Sequence, residues 1–286
     1  MVTLEQIKII DSHHHLWDLS KFEYPWISTE EGVLRRNYLP SDLEPYILDI
    51  GVAGTVVVQA DQTIGESEFL LLTASQTSWI YGVVAWVDVR DHNLGNTLDK
   101  LLSTGPLVGI RHQVEDEVDD DWLIRVETLE GLKEVAKRGL VFDVLVKHRQ
   151  LKHIKVLSEA VPSLRMVIDH MAKPAIAEGI LQPWSEDIAT AARYENVYCK
   201  VSGLVTEADH TGWRTKDLRP FVNHARDVFG IDRLMWGSDW PVCLLASTYK
   251  GVFDAAVNSI GHMDLVDSQR FFEGTAKEAY SLDKVC

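Results

Sequence analysis

Eight short runs of β-branched and apolar residues recur along this chain, and most are separated by longer amphipathic segments. They are Ile7–Asp11, Gly54–Gln59, Ile80–Val87, Leu107–Arg111, Leu140–Val146, Arg165–Asp169, Val197–Val201 and Arg233–Trp236. Apolar runs of this length fit strands covered on both faces, as in a parallel sheet. Helical spacing fills the gaps at Glu66–Thr77, Leu94–Leu102, Glu127–Arg138, Leu151–Ala160, Pro183–Tyr194 and Leu218–Phe229, with a further helix after Tyr249. Ser41–Glu44 reads as a capping box opening a helix that ends near Gly51. Gly139 stands where a left-handed C-terminal cap is expected. Eight strand–helix alternations over about 250 residues predict an α/β chain folded as a single (β/α)8 TIM barrel, one domain over residues 1–286. The rival is a doubly wound open sheet, which usually carries a glycine fingerprint after its first strand. Histidines follow the first strand here.

A barrel builds its active site at the C-terminal ends of its strands. Strand one is followed by His13, His14 and His15, strand four by Arg111 and His112, strand five by Lys147 and His148. Strand six ends in Asp169-His170, strand seven carries Lys200, and strand eight leads to Gly237-Ser-Asp239-Trp240. Side chains alternate along a strand, so His13 and His15 project to one side and can grip one metal ion or one substrate group. His14 points the other way. Arg111 is suited to an anion or carbonyl because its fork makes paired hydrogen bonds. The loop Leu16–Pro40 is long for a compact domain, and loops of that length are usually functional. Trp17, Trp26, Trp184, Trp213 and Trp240 lie near predicted loops, and one or two of them, Trp17 and Trp240 foremost, are candidates for an apolar wall around a ring-shaped substrate. The acidic run Glu115–Asp121 is expected to be solvated.

Composition limits the function further. The formal charge is -15, from 28 basic and 43 acidic residues, which argues against a nucleic-acid partner or an anionic membrane surface. No apolar run reaches the length of a membrane span, and the start MVTLEQIKIIDSHHH lacks the pattern of a signal peptide. Cys199, Cys243 and Cys286 are too few and too scattered for a disulfide framework, so reduced thiols and a cytoplasmic location are expected. The expected partner is a small molecule, and a homo-oligomer is left open.

Four segments together carry a resemblance: Asp11-Ser-His-His-His-Leu-Trp17, Val167-Ile-Asp-His170 with Lys173-Pro174, Cys199-Lys-Val-Ser-Gly203 with Thr206-Glu207, and Met235-Trp-Gly-Ser-Asp-Trp-Pro241. The chain resembles the amidohydrolase superfamily, and within it the amidohydrolase-2 type lactonase branch. That resemblance implies a distorted (β/α)8 barrel that hydrolyses small cyclic esters. It implies metal-binding or catalytic roles for His13, His15, His170 and Asp239, around one divalent metal ion, Zn²⁺. Two-metal members use a bridging lysine at the end of strand four. Here strand four ends in Arg111 and Lys147 lies one strand later, which argues against a binuclear centre.

The expected mechanism has Asp239 as general base on water, with His170 among the groups acting on the carbonyl. The three histidines either hold one zinc or donate hydrogen bonds to the carbonyl oxygen. Arg111, His112, Lys147, Lys200, Trp17 and Trp240 are the expected substrate contacts. Arg111, Lys147, Arg149 and Lys200 against Asp239 predict a cationic mouth. Two other readings stay open: a decarboxylase or amide hydrolase on the same site, and a barrel that binds a metabolite without turning it over.

Overall fold

The computed structural model describes residues 7–282 apart from 29 and 31, so Cys286 lies outside the described residues. Eight strands pair in parallel in chain order: β1 (Ile9–His14), β2 (Val52–Val58), β3 (Ile80–Ala85), β4 (Leu107–Gln113), β5 (Val141–Leu145), β6 (Arg165–Ile168), β7 (Val197–Val201) and β8 (Leu234–Trp236). Hydrogen bonds across the seam close the barrel. Ser12 Oγ donates to the Trp236 carbonyl at 2.6 Å, and the His15 N–H donates to the Trp240 carbonyl at 2.7 Å. The eight covering helices are α1 (Pro40–Ile50), α2 (Ile64–Ser75), α3 (Leu94–Thr104), α4 (Val126–Lys137), α5 (Ile154–Ala160), α6 (Trp184–Ala191), α7 (Thr215–Phe229) and α8 (Tyr249–Ile260). The expected barrel is therefore present, with element ends shifted by a few residues.

Two local differences have physical causes. The first helix begins at Pro40, where proline's fixed φ suits the first turn. Its cap comes from Asp42, whose Oδ2 accepts the Leu39 N–H at 2.9 Å, and the expected Ser41 box does not form. Gly51 and Gly139 do adopt left-handed φ of 75° and 70°. The second difference is a C-terminal plug that sequence spacing did not reveal. After α9 (Leu265–Gln269), a π-type turn at Arg270–Gly274 leads into α10 (Thr275–Tyr280). Ala276, Ala279, Tyr280 and Leu282 pack against Ile10, Val56, Val84, Val108, Val141 and Val167 inside the barrel. A helix this short carries too weak a pattern to be read from spacing alone.

The barrel interior is layered by strand alternation. On β5, Val141 lies in the apolar floor and Asp143 stands two residues higher. On β6 the same step leads from Val167 to Asp169, and on β7 from Tyr198 to Lys200 and then Ser202. Apolar residues thus fill the bottom, an ion cluster the middle, and the histidines the top.

Candidate active site

The top layer converges on a small volume. His13 Nε2 and His15 Nε2 are 3.1 Å apart. Asp239 Oδ1 lies 3.7 Å from His13 Nε2, 3.5 Å from His15 Nε2 and 3.9 Å from His170 Nε2. The Nδ1 atoms of two rings are held from behind. His15 Nδ1 donates to the Val58 carbonyl at 2.8 Å, and His170 Nδ1 pairs with Ser202 Oγ at 2.9 Å. A bond at Nδ1 fixes ring orientation, and at His15 it leaves Nε2 as a bare acceptor.

Unusual backbone aims two of these groups. His170, Met171, Ala172 and Lys173 all have left-handed φ, from 49° to 60°, and Asp239 has φ 57°. Such a conformation costs about 1–2 kcal/mol per non-glycine residue. The turn is held by the Lys173 N–H on the His170 carbonyl at 3.0 Å, by Trp184 Nε1 on the Met171 carbonyl at 2.6 Å, and by full burial of Met171 and Ala172. Strain kept by surrounding structure is a mark of functional positions. Gly203 leaves room for the His170 ring. A Cβ there would meet His170 Nδ1 at 2.5 Å, and its φ of 63° suits glycine.

Electrostatics put the groups in useful protonation states. Burial raises the Asp239 carboxyl, but His170 and His15 outweigh it and hold it below the usual range. Burial pulls His170 and His13 down, so both rings are neutral near pH 7. Beneath them, burial disfavours charge on Asp169, yet Lys200, His13 and Arg111 together keep it well below the usual carboxylate range. Burial pushes Asp143 up to about 6 despite Lys200.

Above the cluster opens a cavity of about 150 Å³ lined by His15, His170, Asp239, Arg111, Gln113, Glu115, Asp116, Lys173, Glu207 and Trp26, among others. Lys173 Nζ bridges the rim, 2.7 Å from Glu115 Oε2 and 4.0 Å from Glu207 Oε1. Trp26 is 39% exposed and donates through Nε1 to the Ala60 carbonyl at 2.7 Å.

The sequence-predicted residues divide against this frame. His13, His15, His170, Asp239 and Arg111 come together. Arg111 Nη1 donates to Asp169 Oδ2 at 3.0 Å and lies 3.4 Å from His13 Nε2. Five expected substrate contacts are displaced. His112 stacks on Trp122 with centroids 4.0 Å apart, and its Nε2 pairs with Glu117 Oε1 at 2.7 Å. Lys200 is fully buried in the middle layer with Asp143 and Asp169 and does not line the cavity. Trp17 and Trp240 are fully buried packing residues, edge-on to Tyr38 at 5.2 and 5.0 Å. Lys147 is half-buried outside the cavity lining, where its N–H donates to Gln150 Oε1 at 3.1 Å. The cationic mouth is also corrected. Arg149 pairs with Asp120 at 2.7 Å, and Glu115 and Asp116 from the supposedly solvated run line the cavity. Sequence reading missed Lys173, Glu115 and Glu207 as lining residues and Asp143 as a buried partner, and of the five loop tryptophans it named, Trp26 lines the cavity. A buried aspartate two residues above a valine on an apolar strand was the available signal for Asp143.

A parallel barrel with three imidazoles and a carboxylate gathered at its C-terminal rim defines a barrel hydrolase of the amidohydrolase kind. The chain belongs to the amidohydrolase family, whose model matches residues 10–282. An L-fucono-1,5-lactonase of Burkholderia ambifaria is 38% identical over 84% of this chain and 82% of its own. One from Burkholderia multivorans is 36% identical over 96% of each chain. An amidohydrolase from Burkholderia multivorans solved with bound zinc superposes with a TM-score of 0.87 at 35% identity, covering 96% of this chain and 99% of its own.

Proposed function

We propose that this protein hydrolyses a neutral sugar lactone by attack of water activated at Asp239. The observation that carries this reading is the ionised Asp239 Oδ1, set 3.5–3.9 Å from three histidine nitrogens at the base of an acidic cavity. Asp239 takes a proton from water as the water oxygen bonds to the lactone carbonyl carbon. Arg111 faces the oxygen that gains charge. The ring C–O bond then breaks, Asp239 returns the proton to the departing alkoxide, and a hydroxy acid leaves. The acid ionises in solution, so turnover releases one proton.

The lining chooses the lactone. Glu115, Asp116, Glu207 and Asp239 face Arg111 and Lys173 there. An acidic excess suits a ligand rich in hydroxyl groups and opposes lactones that already carry carboxylates or sulfonates. It also repels the carboxylate product. Trp26 offers an apolar face for the sugar ring.

The donor set fits one zinc ion. Tetrahedral bonds of about 2.0–2.1 Å place ligand atoms about 3.3–3.4 Å apart. His13, His170 and Asp239 offer ligand atoms within 4.8 Å of one another, His15 Nε2 lies 3.1 Å from His13 Nε2 and 3.5 Å from Asp239 Oδ1, and a similar amidohydrolase was solved with bound zinc. When bound, the ion would polarise the carbonyl and ease deprotonation of water. Among the described residues no helix is long and apolar enough to cross a membrane, and Cys199 and Cys243 are buried free thiols. We propose a cytoplasmic location on the two buried free thiols.

Proton release should be followed across neutral sugar lactones, carboxylated pyrones and muconolactones, with and without chelator. The reading expects turnover of neutral sugar lactones. Carbon dioxide release from aromatic acids with no acid production from any lactone would replace it with a decarboxylase. Binding of lactones without turnover would replace it with a metabolite carrier.

A further inference from the structure

Lys200 is the one lysine fully buried in the barrel, and its ammonium touches three groups among the described residues. Nζ donates to Asp143 Oδ2, lies 3.0 Å from Asp169 Oδ1, and lies 3.1 Å from His13 Nδ1. From below, Tyr280 on α10 donates to both Asp143 oxygens at 2.8 and 2.9 Å. The C-terminal plug therefore fixes Asp143, Asp143 fixes Lys200, and Lys200 faces the inner nitrogen of His13.

His13 Nδ1 has two neighbours that ask for opposite things. Lys200 can only donate, so it needs a bare Nδ1. Ionised Asp169, with Oδ1 at 3.3 Å, can only accept, so it needs Nδ1–H. The outer nitrogen faces a matching choice. His15 is bare at Nε2 because its Nδ1 proton is committed to Val58. At 3.1 Å the two Nε2 atoms need either a proton on His13 or a cation between them. Arg111 Nη1 also approaches His13 Nε2, but at 3.4 Å it is the longer contact and its better bond is to Asp169. Two neutral arrangements remain, and each matches one of the two neighbours of Nδ1. In one, Lys200 donates to Nδ1 and His13 donates through Nε2 to His15. In the other, His13 donates through Nδ1 to Asp169 and Nε2 is free for a cation.

We propose that Lys200 is a positioning residue that holds metal-free His13 as the Nε2–H tautomer, and that accepting a divalent cation requires the ring to change to the Nδ1–H tautomer bonded to Asp169. The ring is neutral in both states. One proton leaves Nε2 to water as another reaches Nδ1 from water, so the change balances. The proposal rests on the reading of this cluster as the active site, because it concerns the same histidines.

The test is histidine ¹⁵N–¹H correlation spectroscopy on the metal-free full chain, with the His13 signals assigned by their loss in His13→Gln. The wild type is expected to show His13 protonated at Nε2. The double variant Lys200→Met with Asp143→Asn keeps the net charge of the layer and is expected to show Nδ1–H. Its zinc affinity, read by competition with a chromogenic chelator, should rise about tenfold, whereas Asp169→Asn should lower it by about 10–100-fold. Lys200→Arg, which keeps a donor, should retain the wild-type tautomer and guards against a misfolded double variant. A wild type already protonated at Nδ1 would overturn the proposal, as would a double variant with unchanged His13 signals. A chain that binds no zinc in any form overturns the cation half. None of these readouts uses a lactone, so a failure of the proposed activity is distinguished from a failure here.

Discussion

The two ends of this barrel solve opposite problems with the same eight strands. At the bottom, α10 and Leu282 fill the opening with Ala276, Ala279 and Tyr280 against valines, and the result is ordinary dense packing. At the top, the chain carries left-handed backbone at His170–Lys173 and Asp239, buried imidazoles, and a carboxylate kept ionised in spite of burial. The left-handed backbone and the buried imidazoles oppose stability, and the bottom supplies apolar burial that offsets them. Substitutions at the top should therefore change turnover with little loss of stability, and substitutions at the bottom should do the reverse.

The largest separation is expected at Asp239. Asp239→Asn keeps size and shape but cannot accept the proton of water, so kcat should fall by about 10²–10⁴-fold while KM and the melting temperature change little. Steady-state acid release and thermal unfolding of the same preparation check this. A variant turning over a confirmed substrate at the wild-type rate would remove Asp239 as the base.

Tyr280 tests the other end. Tyr280→Ala opens a cavity in the floor and strips Asp143 of its hydroxyl donor, and large-to-small core changes of this kind cost about 3–5 kcal/mol. Tyr280→Phe keeps the ring and loses only the hydrogen bonds, at about 1–3 kcal/mol. Urea unfolding measures both. If the two variants were equally destabilised, the floor would owe its stability to the Asp143 contact and not to packing.

How far these ends were legible in sequence follows the same division. The strands were visible because each is an apolar run buried on both faces, and the residues at their upper ends stood out as polar breaks. His13, His15, His170 and Asp239 were therefore found together. The substrate contacts were less legible, because strand alternation decides which of two neighbours faces inward. Arg111 faces in and His112 faces out, to stack on Trp122. Lys200 faces in, but one layer too low, and depth along a barrel is not written in a run of five residues. The rim residues Lys173 and Glu207 lie in loops whose course depends on a left-handed turn of four non-glycine residues, which no composition rule signals.

Glu66 sharpens the comparison through pH. Its carboxyl is buried at the start of α2, where it accepts the Ala60 and Asp61 N–H groups at 2.9–3.1 Å, and so supports the loop carrying cavity residue Ala60. Burial outweighs those bonds and raises it from 4.5 to about 8. Between those values the unfolded chain has lost the proton and the folded chain keeps it. Unfolding therefore releases a proton, and this group's contribution to stability is full below pH 4.5 and declines as pH rises to 8. The slope is at most about 1.4 kcal/mol per pH unit. Glu66→Gln should flatten the stability profile in that window, measured by urea unfolding at several pH values.

The smallest expected effect is at the rim. Glu207 is part of the acidic lining, 4.0 Å from Lys173, and burial raises its carboxyl relative to an exposed glutamate. Glu207→Gln removes at most one negative charge from the mouth. At about 8 Å and an effective dielectric near 40, one charge acts on a ligand carboxylate with about 1 kcal/mol. The ratio of kcat/KM for a carboxylated lactone over a neutral one should therefore rise by roughly fivefold, and less in high salt because the rim is screened. Neutral-lactone turnover should change by less than that, since its hydroxyls keep a hydrogen-bonding partner in Gln. A ratio unmoved by the substitution would mean that selection against charged lactones comes from the shape of the cavity beside Trp26, and that the acidity of the rim acts on product release alone.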